Sequence, residues 1–359
     1  MKYPAQKVKA FIEESFLAAG SSTEHASLAS QALLAADLRG VDSHGIARLS
    51  GYIRLWQQQR LNMQPNMNIV HETPSTAVLD GDKGAGLVVA QKAMDIAIEK
   101  AKVAGSGWVA VKNSNHFGIA GYHAMKALQH DMIGISMTNA SALVAPTFSK
   151  DRMLGTNPIA VAIPANNEPP FVMDMATTPA ANGKLEVHER LNKNIPQGWA
   201  QTKEGTTTTD NRALKNGGAM LPLGSDREHG SHKGYCLGAW VDIFSAVLSG
   251  ANYGPWVPPF VAFLSPPPNP LGEGIGHFIG AMRIDAFRPA HEFKLHMDIW
   301  IKAFRDAQNI EGQPKVQIPG DQERTIEEER IKTGIPIHPL VIEELNDLSQ
   351  ELGIKPLSF

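Results

Sequence analysis

Apolar positions near the start of the chain recur three and four apart. Val8, Phe11, Ile12 and Phe16 share one face and predict a helix that Gly20 ends. A second helix, rich in alanine and leucine, runs to Leu38, with Thr23 able to cap it. Ile46, Leu49, Ile53 and Trp56 predict a third. It starts at the turn Asp42-Ser43-His44-Gly45, where Asp42 or Ser43 offers an N-cap oxygen. Residues 62–74, NMQPNMNIVHETP, are polar and proline-punctuated, the pattern of a linker.

Beyond it the period changes. TAVLD reads as a short strand, and residues 84–103 as a helix with Val88, Met94 and Ile98 inward, closed by Gly105. WVAVKNSNHFGIAGYHAMKALQH reads as strand, sharp turn and helix. MIGISMT, PIAVAIPA and FVMDMAT are further β-type runs. Residues 184–224 are polar and predict mostly loops. A helix over 235–248 precedes the proline-rich PPFVAFLSPPPNPLGEGIG, and AMRIDAF reads as the last strand. Helices near 291–308, 322–333 and 338–352 finish the chain. This is an α/β pattern. It predicts a central mixed-sheet domain over residues 75–289 and a helical lobe built from both chain ends, 1–74 packing with 290–359.

Composition narrows the function. With 359 residues, 43% of them hydrophobic, the chain can bury a large core. The net charge of −3, with no Lys/Arg block, gives no pull toward nucleic acid or an anionic membrane. The single cysteine, Cys236, excludes an internal disulfide framework and a multi-cysteine metal site. The N-terminus does not read as a secretory signal, and no uncharged apolar run approaches the roughly 18 residues of a membrane span. The expectation is a soluble, cytoplasmic protein.

Two stretches carry chemistry. In RGVDSHGIARL, His44 stands at a helix start, an end that favours negative charge, and Arg48 follows one turn later on the same face. A cation there opposes the macrodipole and calls for a compensating anion. An imidazole and a guanidinium so placed suit a small carboxylate bearing a group to be protonated; an ordinary cap followed by a surface arginine is the plainer alternative. In NSNHFG, His116 lies where a strand hands over to a helix, the usual place for a site in an α/β arrangement. Two imidazoles at element starts offer acid–base chemistry near neutral pH.

Nucleotide and metal signatures are missing. There is no GxGxxG, no GxxxxGK[ST] and no HExxH; GIGHFIG, residues 274–280, has the wrong final spacing and follows a loop rather than a strand. His229 and His232 lie in a charged, glycine-containing loop that reads as solvated, so no metal site is expected. A metal-dependent hydrolase and a non-catalytic carboxylate binder are the rival classes.

Taken together, RGVDSHGIARL, NSNHFG, GTNPIAVAIP, DMATT, GK followed by IPQGWA, TTTTD, LPLG, KGY and IPGDQE occur in an order that resembles the malate/L-lactate dehydrogenase family, the group unrelated to Rossmann-fold lactate and malate dehydrogenases. The resemblance runs along nearly the whole chain. It implies a distinctive non-Rossmann α/β fold, a nicotinamide cofactor (NAD, with NADP possible) and a small 2-oxo or 2-hydroxy acid substrate. Oxaloacetate/malate is the first expectation, ahead of L-lactate, ureidoglycolate or a sugar-derived oxo acid. It also implies a homodimer with the site near the interface. By the same resemblance, His116 and His44 correspond to the proton-transferring histidines. Ser43, Arg48, Thr156 and Asn157 correspond to the substrate site, and Asp174, Met175, Ala176, Lys233, Pro319, Gly320 and Asp321 to cofactor-binding segments. The chain departs from the family pattern at Ala140, where some relatives carry serine, at Asn211 after TTTTD, and in SDREHGSH before KGY.

Overall fold

The computed structural model describes residues 2–358. A two-residue strand, β1 (Lys2–Tyr3), leads into α1 (Ala5–Ala18), which buries Val8, Phe11, Ile12 and Phe16 as their spacing predicts. In α2 (Thr23–Leu38) the cap falls one residue before the expected Thr23, where the Ser22 hydroxyl accepts the His25 N–H. The third helix begins later than its periodicity suggests: Ile46–Arg48 form a 3-10 turn before α3 (Leu49–Gln57).

The stretch expected to be a linker contains β2 (Asn68–Glu72), exposed at every position. It is an edge strand held by antiparallel pairing with β3 (Thr76–Gly84), so it carries no alternating burial for the sequence to display. α4 (Gly86–Ala104) ends at Gly105 in the left-handed region, as predicted. β4 (Ser106–Ser114) runs parallel to β3. Then follow α5 (Ala120–Met125) with a 3-10 continuation, β5 (Met132–Thr138), β6 (Ile159–Ile163) and β7 (Phe171–Met175).

Residues 184–224 are mostly loop and turn, as expected, but not entirely. They hold most of α6 (Asn182–Arg190), and β8 (Ala200–Gln201), β9 (Thr207–Thr208) and β10 (Ala219–Met220) form a small sheet. α6 buries only Gly183 and Leu185, too few positions for an apolar stripe. α7 (Ser231–Asp242) passes into a π-helical stretch, Ile243–Val247.

The largest departure is β11 (Ile275–Arg283). The strand runs through most of GIGHFIG, while Ile284–Ala286 form a 3-10 turn. It lies in the middle of the main sheet, ordered β2-β3-β4-β11-β5-β6-β7, antiparallel to both β4 and β5. Its glycines read as loop but serve close packing. A Cβ on Gly276 would lie 2.0 Å from the Ser245 carbonyl oxygen, and one on Gly280 would lie 2.5 Å from the Trp108 ring.

α8 (Ala290–Arg305), α9 (Asp321–Thr333), β12 (Ile335–Pro336) and α10 (Pro339–Leu352) complete the chain close to their predicted bounds. One core joins α1–α3 to Ile335, Val341, Leu345 and Leu348 of the chain end, and β12 pairs with β1. α8 instead sets Trp300 edge-on to Phe171 of β7. A second core lies between the sheet and α4–α5, and Val241 and Phe244 of α7 and its extension cover Phe278 on the opposite face. The sheet is thus sandwiched between helices, with the helical core against one end.

α4 sits so close to β4 that a Cβ on Gly107 would lie 2.0 Å from the Ala97 carbonyl oxygen. Gly107→Ala is therefore expected to cost about 1–3 kcal/mol, read as a lower denaturation midpoint in urea.

Candidate active site

The DSHG loop is not capped by its own side chains. Asp37, buried near the end of α2, reaches forward so that its Oδ2 accepts the Ile46 N–H at 2.7 Å. Gly45 has to be glycine, because a Cβ would fall 1.9 Å from Asp37 Oδ1. Of the two expected caps, Asp42 pairs with Arg330 of α9, and Ser43 Oγ lies 2.8 Å from His44 Nδ1. Burial pushes the Asp37 carboxyl up to about 8; the Ile46 hydrogen bond opposes that shift only in part.

This loop brings His44 onto His116. Their rings stack with centroids 5.5 Å apart and planes 26° apart. Phe260 covers His116 as well, at 4.4 Å and 29°. His116 Nδ1 lies 2.6 Å from the Tyr52 hydroxyl and accepts the Gly118 N–H at 3.3 Å. A backbone N–H can only donate, so the neutral ring carries its proton on Nε2, and Nε2 is the nitrogen left for a ligand. Both histidines are enclosed on most sides yet partly open to solvent, as on the wall of a cleft. Burial, then the Arg48 charge, lowers His44 to about 4. Burial, then the neighbouring His44, Arg48 and His277, holds His116 well below its ordinary value. Both rings are neutral at pH 7.

Arg48 donates through Nε to the Ser43 carbonyl at 2.6 Å, and its Nη2 lies 3.3 Å from Glu186 Oε2. Glu186 also receives Asn182 Nδ2 at 2.9 Å and lies 3.6 Å from Arg190. The anion that Arg48 calls for is therefore present within the chain, on α6. Gly183 lets α6 approach, since a Cβ there would lie 2.6 Å from Ser43 Cβ.

Behind this cluster, Phe117 stacks on His277 of β11 at 4.9 Å. His277 bridges the Thr138 and Ser114 hydroxyls at 2.7 Å each. The Thr138 hydroxyl can donate to the Gly276 carbonyl at 2.9 Å, which orients the chain of bonds from Ser114 through His277 to Thr138.

The remaining predicted residues gather around the end of β7. Asp174 Oδ2 accepts the Gly121 N–H at 2.7 Å, just beyond the His116 turn. Burial raises the carboxyl to about 6, although the residue is open on one side. Met175 pairs with Ile159, and Ala176 continues toward Thr177. The Thr156 carbonyl accepts the Thr177 N–H at 2.9 Å. Asn157, buried at φ +36°, accepts the Ala140 N–H and donates to the Gly238 carbonyl of α7, so both ends of its amide hold backbone. Lys233 is exposed in the first turn of α7, whose N-terminus has no side-chain cap and no acidic residue in that turn. Among the described residues its ammonium has no partner. Pro319 receives the Val172 N–H at 2.9 Å, and Gly320, at φ +97°, caps α9. Asp321 is committed to Arg305, Arg324 and the Ile318 N–H; burial would raise its carboxyl, but these partners hold it below its ordinary value. His229 pairs with Asp226 and His232 lies beside Arg227, so neither points at a shared centre.

Tyr52, Glu186 and Phe260 did not emerge from the sequence. Tyr52 had a signal, standing one turn beyond Arg48 on the same helical face. Glu186 lay in a helix without periodicity, and Phe260 in an irregular proline-rich run.

Because folding raises the Asp37 pKa from about 3.8 to about 8, the folded chain holds that proton more tightly than the unfolded one. Its stabilising share is complete below the unfolded pKa and is lost as pH rises through the folded one. Asp37→Asn keeps an acceptor for Ile46 and removes the titration. The melting temperature of the variant relative to the native chain should therefore climb between about pH 5 and pH 8; a pH-independent difference would contradict the raised pKa.

The chain is similar to known proteins along nearly its whole length. A sequence model described as malate/L-lactate dehydrogenase matches residues 3–346. The malate dehydrogenase of Pyrococcus abyssi is 41% identical over 358 residues, covering 99% of this chain and 96% of that protein. The L-sulfolactate dehydrogenase of Methanocaldococcus jannaschii is 38% identical over 337 residues, covering 93% and 92%. The solved structure of malate dehydrogenase from Pyrococcus horikoshii OT3 superposes with a TM-score of 0.90 at 38% identity, over 99% of this chain and 97% of that one. With the family model spanning most of the chain and these relatives alike along their whole lengths, the protein belongs to the malate/L-lactate dehydrogenase family and is a dehydrogenase.

Proposed function

We propose that the chain transfers a hydride between a nicotinamide cofactor and a small 2-oxo/2-hydroxy acid, with oxaloacetate/malate as the preferred pair. The observation that carries this reading is the sandwich His44–His116–Phe260 beside Arg48, with Nδ1 of His116 held by Tyr52 and Gly118 and its Nε2 left open to a ligand. When bound, the nicotinamide supplies or accepts the hydride. The uncapped N-terminus of α7 with Lys233 suits the phosphates of a dinucleotide, and Asp174, Met175 and Ala176 line the approach from β7. Pro319, Gly320 and Asp321 support that strand from outside.

His116 is the proton partner. In oxidation the neutral ring takes the hydroxyl proton on Nε2, once its own proton has moved to Nδ1 where the Tyr52 oxygen accepts it; in reduction the imidazolium so formed returns the Nε2 proton to the developing alkoxide. His44 and Ser43 sit beside it, and Arg48 takes the substrate carboxylate by sharing or displacing Glu186. Thr156 and Asn157 hold the backbone below. Because both imidazoles are neutral in the free protein, an arriving anion raises their pKa values, and binding should draw in a proton near pH 7. Calorimetry of oxaloacetate binding with oxidised NAD, run in two buffers of different ionisation enthalpy, reads that uptake. Proton release would contradict the assignment.

His116→Ala and His44→Ala should each lower turnover at least about a hundredfold, with His116 the more severe. Arg48→Lys keeps the charge but loses the planar fork, so efficiency should fall for oxaloacetate and pyruvate alike. Arg48→Ala should cost about 2–5 kcal/mol in kcat/KM on both. Loss of oxaloacetate activity alone, with pyruvate spared, would mean that Arg48 reads the distal carboxylate. A panel of 2-oxo acids that includes sulfopyruvate, assayed by nicotinamide absorbance alongside metal analysis, tests the substrate and separates a hydrolase.

The cofactor proposed is NAD. One Asp174 oxygen is engaged by Gly121, and the second is left for a ribose hydroxyl and would repel a 2′-phosphate. Equal or better efficiency with NADPH would overturn this preference. A homodimer is proposed as well, since Trp240, Ile243, Val247 and Leu248 expose a continuous apolar strip on α7 and its extension. Sedimentation at a monomer mass would refute it.

A further inference from the structure

The segment that carries Phe260, VPPFVAFL, has no regular structure, and its prolines cannot donate to a sheet. It is held on the site from two sides. From the helical side, Arg60 in the turn after α3 spreads its guanidinium over three carbonyls. Nη1 donates to Leu264 at 3.0 Å and to Val261 at 3.4 Å, and Nη2 donates to Pro259. From the sheet side, Ser141 Oγ accepts the Phe260 N–H at 3.3 Å and donates to the Pro258 carbonyl at 3.4 Å. Arg60 is tied to the His116 turn by its backbone too, since its carbonyl accepts Asn115 Nδ2 at 3.4 Å. The Phe260 ring lies where α3 leaves room for it: a Cβ on Gly51 would lie 3.1 Å from the ring. From there the ring meets Tyr52 edge-on at 4.9 Å and covers one face of His116.

We propose that Arg60 is a positioning residue: by clamping the carbonyls of residues 259, 261 and 264 it presses Phe260 onto His116 and keeps water from that face of the imidazole. A guanidinium suits this task because its donors form a rigid fork that three carbonyls can share, which a lysine ammonium on a flexible stem does not reproduce. The consequence falls on proton transfer. The groups facing His116 are Tyr52 from α3, Arg48 from the 3-10 turn before it, His44 from the loop before that and His277 from β11. None of them is a carboxylate that would favour the imidazolium. The aromatic cover therefore decides how much water reaches the ring and how readily it takes a proton.

This inference rests on the proton role proposed for His116, but it can be read without substrate. In histidine-labelled protein, with the His116 signal assigned by loss in His116→Gln, the ring is titrated by NMR in the native chain, Arg60→Met, Arg60→Lys, Phe260→Ala and Arg60→Met/Phe260→Ala. Arg60→Met and Phe260→Ala are each expected to raise the His116 pKa by about one unit or more toward its ordinary value. The double variant should add little to either, because Arg60 acts through Phe260, and Arg60→Lys should fall between the native chain and Arg60→Met. In hydroxy-acid oxidation the acid limb of kcat/KM should move upward with the titration, since the ring must be neutral to take the proton. An unchanged titration in a folded Arg60→Met overturns the role of Arg60. Should that variant not fold, an unchanged titration in Phe260→Ala overturns the proposal by itself. A shifted titration in a protein inactive on every 2-hydroxy acid leaves the clamp standing and removes the proposed reaction instead.

Discussion

The hydrogen bond between the Tyr52 hydroxyl and His116 Nδ1 joins the helical core to the main sheet. Tyr52 belongs to the helical core and His116 to the turn at the end of β4, so the site exists only where helices and sheet are held in register. The close approaches around this seam serve the same end. Gly86, which opens α4, lies where a Cβ would meet the Asn115 carbonyl oxygen at 2.1 Å, and Gly45 stands over Asp37. Neither position admits a side chain without moving the turn or the loop that carries a histidine.

Polar groups buried near the seam are placed in pairs whose directions are set. Asp37 receives Ile46, and His277 links Ser114 to Thr138. An unsatisfied buried group costs about 1–3 kcal/mol, so each pairing strongly favours one arrangement of the backbone over its neighbours. The same desolvation keeps His44, His116 and His277 neutral. The fixed backbone and the neutral rings thus share one cause, the removal of water from these groups.

Arg48 shows why charge reasoning along the chain stops short of the tertiary answer. Its position in the opening turn of a helix called for an anion, and that requirement holds. Glu186 meets it from α6, a helix with almost no buried face. If Arg48 takes a substrate carboxylate as proposed, that anion shares or replaces the Glu186 contact, and α6 enters recognition with it.

The sequence by itself determined the α/β class, the bounds of the strongly periodic helices, and a set of ordered motifs specific enough to identify the family. These are local properties: a helix with one buried stripe, or a histidine between fixed neighbours, is written in adjacent residues. Only the tertiary structure decided the rest. β2 is exposed at every position, and β11 is buried from Ile275 to Ala281 and interspersed with glycines, so neither strand alternates along the chain. Asp37 displaced the local caps because a buried carboxylate nine positions upstream reached the same N–H. Phe260 came onto His116 from a segment with no period of its own, through hydrogen bonds to Arg60 and Ser141 far away in the chain. Each of these depends on which distant backbone lies within a few ångströms, and no short window of sequence carries that distance.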